Sequence, residues 1–173
     1  MLTVVSDTHS EEGHRLTGRT LEAVREADLV IHAGDFYTES ALDAFYEAAE
    51  TLRAVTGNNA TAAVRDRLPA ERVVEYAGVR FAVTHTRRGG TTALALFGRE
   101  RDADAVVFGH SHRPTVDATG AVTLLNPGSH TQPRGNRAAH AELVPDGDGL
   151  DGRLVTPQGE TFERFRVEPR RSD

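Results

Sequence analysis

Five short apolar runs in this sequence lead into the same kinds of polar residue, and this pattern limits the fold more than any other feature. The polar segments that follow the runs are Ser6-Asp7-Thr8-His9, Gly34-Asp35, Gly57-Asn58, His85 and Gly109-His110-Ser111-His112. Short continuous apolar runs are typical of strands that are covered on both faces. Ligands collect beyond the carboxyl ends of such strands, so we expect the polar segments to lie together.

The segment 108–112 carries two histidines, His110 and His112, directly after an apolar run. Residues two apart project to the same side of an extended backbone, which predicts that both imidazoles face one ligand. A glycine precedes His110, as it does Asp35 and Asn58, and it permits a tight turn close to a ligand. An isolated H-x-H is more often a polar loop, and single aspartates and asparagines commonly cap helices or form turns. The interpretation as a site therefore depends on the five segments together.

Strands and helices alternate over the first part of the chain. Strands are predicted at 2–6, 29–33, 52–56, 72–76, 79–84 and 105–108, with helices at 14–27, 39–49 and 91–101 and an ambiguous stretch at 61–67. Later candidates are strands alone, at 115–118, 122–126, 137–144, 152–156 and 161–167, with a turn at 145–149. This pattern predicts two packed sheets with helices outside. No repeat or linker interrupts the chain, so we expect a single domain over residues 1–173.

Composition narrows the chemistry. The chain has no cysteine, which excludes disulfides and thiolate chemistry and leaves oxygen and imidazole ligands. Its formal net charge of −6 argues against a general nucleic-acid binder and against an anionic membrane surface as partner. No leader pattern and no apolar run of membrane-spanning length is visible, so a cytoplasmic protein is expected.

Seven residues are candidate metal ligands: Asp7, His9, Asp35, Asn58, His85, His110 and His112. Seven donors are too many for one tetrahedral ion with an open position. They suit two ions that share a carboxylate and lie about 3.5–4 Å apart, as in hydrolytic two-metal sites. Asp35 is the natural bridge, because its carboxylate has two oxygens and lies alone in its loop.

The order D-x-H, G-D, G-N, a strand-end histidine and G-H-x-H is similar to that of the calcineurin-like metallophosphoesterase superfamily. The small chain, the opening Ser6-Asp7-Thr8-His9 and the segment Asn126-Pro127-Gly128-Ser129 resemble the YfcE-type small phosphodiesterases. The resemblance covers nearly the whole chain. It implies a four-layer αββα sandwich of two mixed β-sheets flanked by helices, with a site for two divalent metal ions. Manganese is the first expectation, with nickel, magnesium, zinc or iron as alternatives.

Carried across by this resemblance, Asp7, His9 and His112 hold one metal, and Asn58, His85 and His110 hold the other. Asp35 belongs to both, and Asp35, Asn58 and His85 are expected to be catalytic. The implied reaction is hydrolysis of a small organic phosphate diester, in which a water shared by the two ions attacks as hydroxide.

The sequence departs from the family pattern where a leaving-group acid is expected. The family places a histidine after the motif asparagine, or cysteine followed by aspartate, whereas this chain has Asn59 and Ala60. Neither side chain can protonate a leaving group as a general acid, so we expect slow turnover of esters with alkoxide leaving groups. Arg87 and Arg88 follow His85 and are candidate phosphate contacts, although a solvated loop explains them equally well.

Two other functions remain open. The eukaryotic retromer complex contains a subunit with the implied fold that works mainly through protein contacts, so a catalytically weak scaffold is the alternative. A nuclease is disfavoured by the negative charge and the missing basic groove. The expected partner is a small phosphate ester, with no membrane or nucleic acid, and relatives of this kind commonly form homo-oligomers. Ser129, His130 and Arg134 are weaker site candidates, and His32 and His140 are expected to be structural.

Overall fold

A computed structural model describes residues 1–170. Its strands are β1 (Leu2–Val5), β2 (Leu29–His32), β3 (Leu52–Ala54), β4 (Glu71–Tyr76), β5 (Val79–Thr84), β6 (Ala105–Val107), β7 (Thr115–Asp117), β8 (Thr123–Asn126), β9 (His140–Asp146), β10 (Gly149–Val155) and β11 (Thr161–Val167). Its helices are α1 (Gly18–Glu26), α2 (Glu39–Ala48), α3 (Ala62–Arg67) and α4 (Gly90–Arg99). None of the helices in this described part of the chain is long and apolar enough to cross a membrane.

Both sheets are mixed. The first has the order β11-β10-β9-β1-β2-β3, in which β1, β2 and β3 are parallel and β9, β10 and β11 run antiparallel to their neighbours. The second has the order β4-β5-β6-β8-β7, with a parallel centre of β5, β6 and β8 and antiparallel edges. The late strands are therefore divided between the sheets and do not form a separate antiparallel unit.

The two sheets pack face to face, and alternation along each strand separates the layers. Val79, Phe81 and Val83 of β5 point into the central core, where they meet side chains such as Leu2 and Val4 of β1. Between them, Ala82 faces outward and packs with Leu94 and Phe97 of α4. A third cluster joins the outer face of the first sheet to α1, α2 and α3 through Val24, Val30, Leu42, Phe45 and Val64. The predicted four-layer αββα sandwich is thus confirmed.

Several element boundaries differ from the sequence predictions. α1 begins at Gly18 and not near residue 14, because Leu16 N donates to Nδ1 of His14 in a separate turn. Gly18 has a φ of +52°, and a Cβ there would lie 2.3 Å from the carbonyl oxygen of Pro157, so the helix start requires glycine. The predicted turn at 145–149 shortens because β9 extends to Asp146 and pairs Pro145 with Leu150.

The strand ends that carry the polar segments meet at one edge of the sandwich. Asp7 N donates to Gly34 O at 3.0 Å, which joins the loops after β1 and β2 within the first sheet. Gly109 N donates to His85 O at 3.0 Å, which joins the loops after β6 and β5 in the second sheet. Both pairs of loops converge where the sheets face each other, and this convergence positions the site.

Candidate metal centre

Asp7, His9 and His112 form one buried cluster at this edge. His9 Nε2 lies 3.0 Å from His112 Nε2, and Asp7 Oδ1 lies 3.3 Å from His112 Nε2 and 3.7 Å from His9 Nε2. The residues come from loops more than a hundred positions apart in the chain. Three ligand atoms therefore point at one small volume.

Asp35, His85 and Asp7 form a second cluster beside the first. His85 Nε2 lies 3.4 Å from Asp35 Oδ2 and 2.9 Å from Asn58 Oδ1. His110 completes the group, since its Nδ1 lies 3.1 Å from the same Asn58 oxygen. All seven residues predicted from the sequence are thus brought together, with His110 and Asn58 at the exposed side.

Two of the imidazoles are oriented by backbone carbonyls. His85 Nδ1 donates to Ala33 O at 2.8 Å, and His112 Nδ1 donates to Gln132 O. A proton on Nδ1 leaves Nε2 of each neutral ring as a lone pair that faces the carboxylates. This tautomer is the one that binds a cation.

Charge and burial shift the pKa values in the cluster. Burial opposes ionisation of Asp35, but its contacts with His85 and Asn59 outweigh burial and hold its pKa well below the usual range. Burial favours neutral His85, yet Asp35 and Asp7 together raise the pKa of that ring. For Asp7, burial is likewise outweighed by the neighbouring histidines and by Ser6, and its pKa is lowered. The carboxylates are therefore anionic near neutral pH.

Five of the seven residues adopt the left-handed backbone conformation that non-glycine residues rarely occupy. Their φ values are 53° for Asp7, 44° for His9, 67° for Asp35, 72° for His110 and 58° for His112. Such conformations cost roughly 1–3 kcal/mol each and persist where the surrounding structure imposes them, often at functional sites. The strain is concentrated on residues that converge on one point.

The prediction that His110 and His112 share one side of an extended backbone is wrong. Both have positive φ, so the segment coils, and the two rings serve different clusters. His110 reaches Asn58, whereas His112 reaches His9. Both residues lie in the candidate centre, but not through the extended geometry from which they were predicted.

Several residues that support the site were missed or undervalued from the sequence. Ser6 Oγ donates to Asp7 Oδ2 at 2.7 Å, and Ser129 Oγ donates to Asp7 O at 2.7 Å. Asn126 Nδ2 donates to Gly109 O at 3.0 Å and so fixes the loop of the histidine pair. The segment Asn126-Pro127-Gly128-Ser129 was the signal for two of these contacts.

Two of the minor histidine predictions have a clear outcome. His32 is fully buried, accepts from Gly34 N at 3.1 Å and so donates through Nε2 to Thr8 Oγ1 at 3.0 Å. It is structural, as predicted, and it supports loops on either side of the ligands. His130, a weaker site candidate, instead contacts Thr17 and Thr20 of the α1 region.

Asp35 does not lie alone in its loop. Asn59 donates to it twice, from the backbone N to Oδ1 at 3.0 Å and from Nδ2 to Oδ2 at 2.9 Å. Ala60 is buried. The positions where the family pattern has a leaving-group acid are thus occupied by a side chain that orients a carboxylate and by a methyl group in the core.

Comparison with known proteins agrees with this geometry. The family model described as the calcineurin-like phosphoesterase superfamily domain matches residues 1–144. This chain belongs to the calcineurin-like phosphoesterase superfamily. It is 32% identical over 160 residues to a probable metallophosphoesterase of Methanocaldococcus jannaschii, covering 90% of this chain and 80% of that protein.

Solved structures of calcineurin-like phosphoesterase fold extend the comparison. A predicted phosphoesterase from Streptococcus pneumoniae matches with a TM-score of 0.70 at 24% identity, covering 95% of this chain and 96% of that one. Vps29 of Entamoeba histolytica, solved in complex with Zn²⁺, matches with a TM-score of 0.77 at 21% identity, covering 98% and 99%. At these identities the likeness establishes the shared fold.

Proposed function

We propose that this chain is a divalent-metal-dependent phosphodiesterase that hydrolyses small organic phosphate diesters at a binuclear centre. One observation carries the proposal. Asp35 Oδ2 lies 3.4 Å from His9 Nε2 and 3.4 Å from His85 Nε2, so a single carboxylate oxygen faces both clusters. A shared carboxylate between two ligand sets is the arrangement of two-metal hydrolytic sites.

The residues present fit two cations. Asp7 and Asp35 are anions, and when the rings of His85 and His112 are neutral, with Nδ1 donating to a backbone carbonyl, Nε2 of each carries a lone pair that can bind a cation. His9 Nε2 faces His112 Nε2 at 3.0 Å while its buried Nδ1 has no hydrogen-bond partner among the described residues. This excess of acceptors over donors favours a cation at the point of convergence.

In the proposed arrangement Asp7, His9 and His112 hold one ion, Asn58, His85 and His110 hold the other, and Asp35 contacts both. Nitrogen and oxygen ligands without thiolate suit manganese, our first choice, and also nickel, magnesium, zinc and iron. The Zn²⁺ complex of the Entamoeba Vps29 supports a divalent ion in this fold. Two such ions, when bound, activate a water molecule and neutralise phosphate oxygens.

Hydrogen bonds from neighbouring residues hold the two aspartates of the proposed centre in place. Ser6, His110 N and Ser129 hold Asp7, and Asn59 holds Asp35, so both carboxylates are fixed before substrate arrives. Neither Asn59 nor Ala60 offers an acidic proton to the leaving group. We therefore expect nitrophenyl esters to be hydrolysed much faster than alkyl esters, and equal rates on the two would contradict this assignment.

The test is hydrolysis of bis(4-nitrophenyl) phosphate with and without added Mn²⁺. We expect metal-dependent turnover by the native protein and its loss in Asp35→Ala. Asp66→Ala, which alters an exposed aspartate elsewhere, should retain the native rate. Absence of metal-dependent turnover in the native protein would overturn the proposal.

The alternative is a catalytically weak scaffold of the same fold. It is favoured by the likeness to Vps29 proteins and by the missing leaving-group acid at Asn59. Elemental analysis beside the turnover assay separates the two functions, because a scaffold that kept the ligands would bind metal without hydrolysing bis(4-nitrophenyl) phosphate.

A further inference from the structure

A cleft beside the candidate metal centre is lined by charged and apolar side chains that are not among the seven candidate ligands. Its volume is about 550 Å³, and Asn58 and His85 form one of its walls. Clefts of about 300–1,000 Å³ are the size that holds small organic molecules. Because the cleft shares two residues with the candidate centre, a group held there would be continuous with a phosphate at that centre.

One wall of the cleft is fixed by an ionic cluster on Phe97. Glu71, the first residue of β4, accepts from Arg87 and, at 2.6 Å, from Arg101. The two guanidinium carbons lie over the Phe97 ring, 4.2 Å from its centroid for Arg87 and 3.9 Å for Arg101. The Arg87 guanidinium is therefore paired with Glu71 and stacked on Phe97, so Arg87 forms part of the wall and is less available to an anion than an unpaired arginine.

Arg88 has a different environment from Arg87. Its side chain lines the same cleft and is exposed, and no carboxylate of residues 1–170 forms an ion pair with it. A guanidinium in this state keeps its planar set of donors for a ligand. Of the two arginines that follow His85, only Arg88 is free to bind a polar or anionic group.

The α4 side of the cleft carries apolar side chains, with Glu100 at its end. Leu96 is 53% exposed and lies on the cleft together with Ala93. A half-exposed leucine alone is ordinary, but this one lies in a concave surface that Arg88 also lines. An apolar side chain and a cation in the same cleft suit a ring with a polar edge better than they suit a short alkyl group.

We propose that this cleft binds the organic group of the diester that is not released in the reaction. It selects ring-sized, partly apolar groups at that position over short alkyl groups. Leu96 packs against the ring, and Arg88 contacts a polar or anionic atom on its edge. The inference rests on the proposed function, since it names the substrate class of that site as phosphodiesters with a ring-sized group.

The kinetic test compares bis(4-nitrophenyl) phosphate with methyl 4-nitrophenyl phosphate, which release the same leaving group and differ in the second ester group. Leu96→Gln and Arg88→Gln should each lower kcat/KM for the first about tenfold and change the second by less than about twofold. Arg99→Gln is the matched control, because Arg99 is exposed on α4 and outside the cleft. It should leave both values unchanged.

A binding test separates failure of the cleft from failure of the enzyme. Titration calorimetry with Mn²⁺ should show phenylphosphonate binding the native protein about tenfold more tightly than methylphosphonate, with the preference lost in Leu96→Gln, because the side chain of Leu96 packs against the ring. If the preference is present but neither diester is hydrolysed, the proposed function is wrong and the cleft assignment stands.

Three results would overturn the cleft assignment whatever the turnover. The first is equal affinity of the native protein for phenylphosphonate and methylphosphonate. The second is that Leu96→Gln changes the affinities for the two phosphonates by the same factor. The third is a change in oligomeric state in Leu96→Gln with an unchanged preference for phenylphosphonate. The last result would make the cleft an interface between copies of the chain.

Discussion

Two buried clusters contain the same types of residue, acidic and histidine side chains, but differ in role. One is the candidate metal centre at the carboxyl ends of β1, β2, β5 and β6. The other lies between α1 and the outer face of the first sheet, where Glu142 of β9 is 2% exposed. Comparing them shows what distinguishes a site from a structural network.

The Glu142 cluster is complete. Its Oε1 accepts from His140 Nε2 at 2.9 Å and from Arg19 Nε at 2.8 Å. Its Oε2 accepts from Arg19 Nη2 at 3.0 Å and from Arg153 Nη2 at 2.7 Å. Burial opposes the charge on Glu142, but these donors outweigh burial and lower its pKa. Every charge has a partner, and the backbone is ordinary strand and helix.

The candidate metal centre lacks this one-to-one pairing of donors with acceptors among the described residues. Its acceptors converge on one another, and the buried His9 Nδ1 has no partner among residues 1–170. Five of its residues also have positive φ, whereas His140 and Glu142 do not. Satisfied pairing indicates a role in stability, whereas converging acceptors on a strained backbone are typical of a functional site and support the candidate metal centre.

The largest effect is expected from a substitution in the candidate metal centre that leaves the Glu142 network unchanged. Asp35→Asn keeps the size of the side chain but removes the charge that faces both clusters, so metal-dependent turnover should fall about a thousandfold or more. Steady-state rates at saturating Mn²⁺ measure this. Glu142→Gln is the control and should keep the native rate per folded molecule. Equal losses in the two variants would erase the distinction between the clusters.

Glu142→Gln should instead destabilise the fold. It removes the buried carboxylate that Arg19 and Arg153 share, although Arg19 keeps its exposed partner Glu26, and breaking such a partly buried set costs about 3 kcal/mol. Urea unfolding measures the change, with Glu160→Gln, an exposed glutamate, as the matched control. A midpoint equal to that of the native protein would show that the network is not structural.

His130, a histidine beside this network, should make the folded state less stable in acid. Burial, with His140 and His14 nearby, lowers the pKa of His130 to about 4 from its usual 6.5. The folded state therefore binds fewer protons than the unfolded state between those values, and stability falls as pH falls through that window. We expect a loss on the order of 2 kcal/mol between pH 6.5 and pH 4 in metal-free protein. In His130→Gln the free energy of unfolding should change less between pH 6.5 and pH 4 than in the native protein. An equal change in the two proteins would show that His130 is not the cause of the acid sensitivity.

The smallest expected effect concerns Asn59. Asn59→Ala removes the side-chain hydrogen bond to Asp35 and keeps the backbone one, so turnover should fall only about threefold. Thr61→Ala, which removes the side chain that accepts from Val64 N at the start of α3, is a control for local disturbance of the same loop. A loss as large as that of Asp35→Asn would mean that Asn59 belongs to the reaction itself.

Much of the fold was predictable because its signals are local. The sequence located strands such as β1 and β5 and the three longer helices within a few residues, since continuous apolar runs and helical spacing depend on neighbouring residues. The start of α1 was placed wrongly because it depends on the approach of Pro157, far along the chain, to Gly18. The distribution of the late strands between two sheets likewise depends on long-range pairing.

The identities of the candidate ligands could be determined from the sequence alone, because apolar runs that end in glycine and a ligand residue are visible there. The tertiary structure decided how those ligands are grouped. It placed the rings of His110 and His112 in different clusters, and it set Asp35 Oδ2 close to both His9 and His85. It also joined Asn59 to Asp35 by hydrogen bonds and paired Arg87, and not Arg88, with Glu71. These relations join residues on different strands of two sheets, and a sequence pattern fixes only how far apart residues are along the chain.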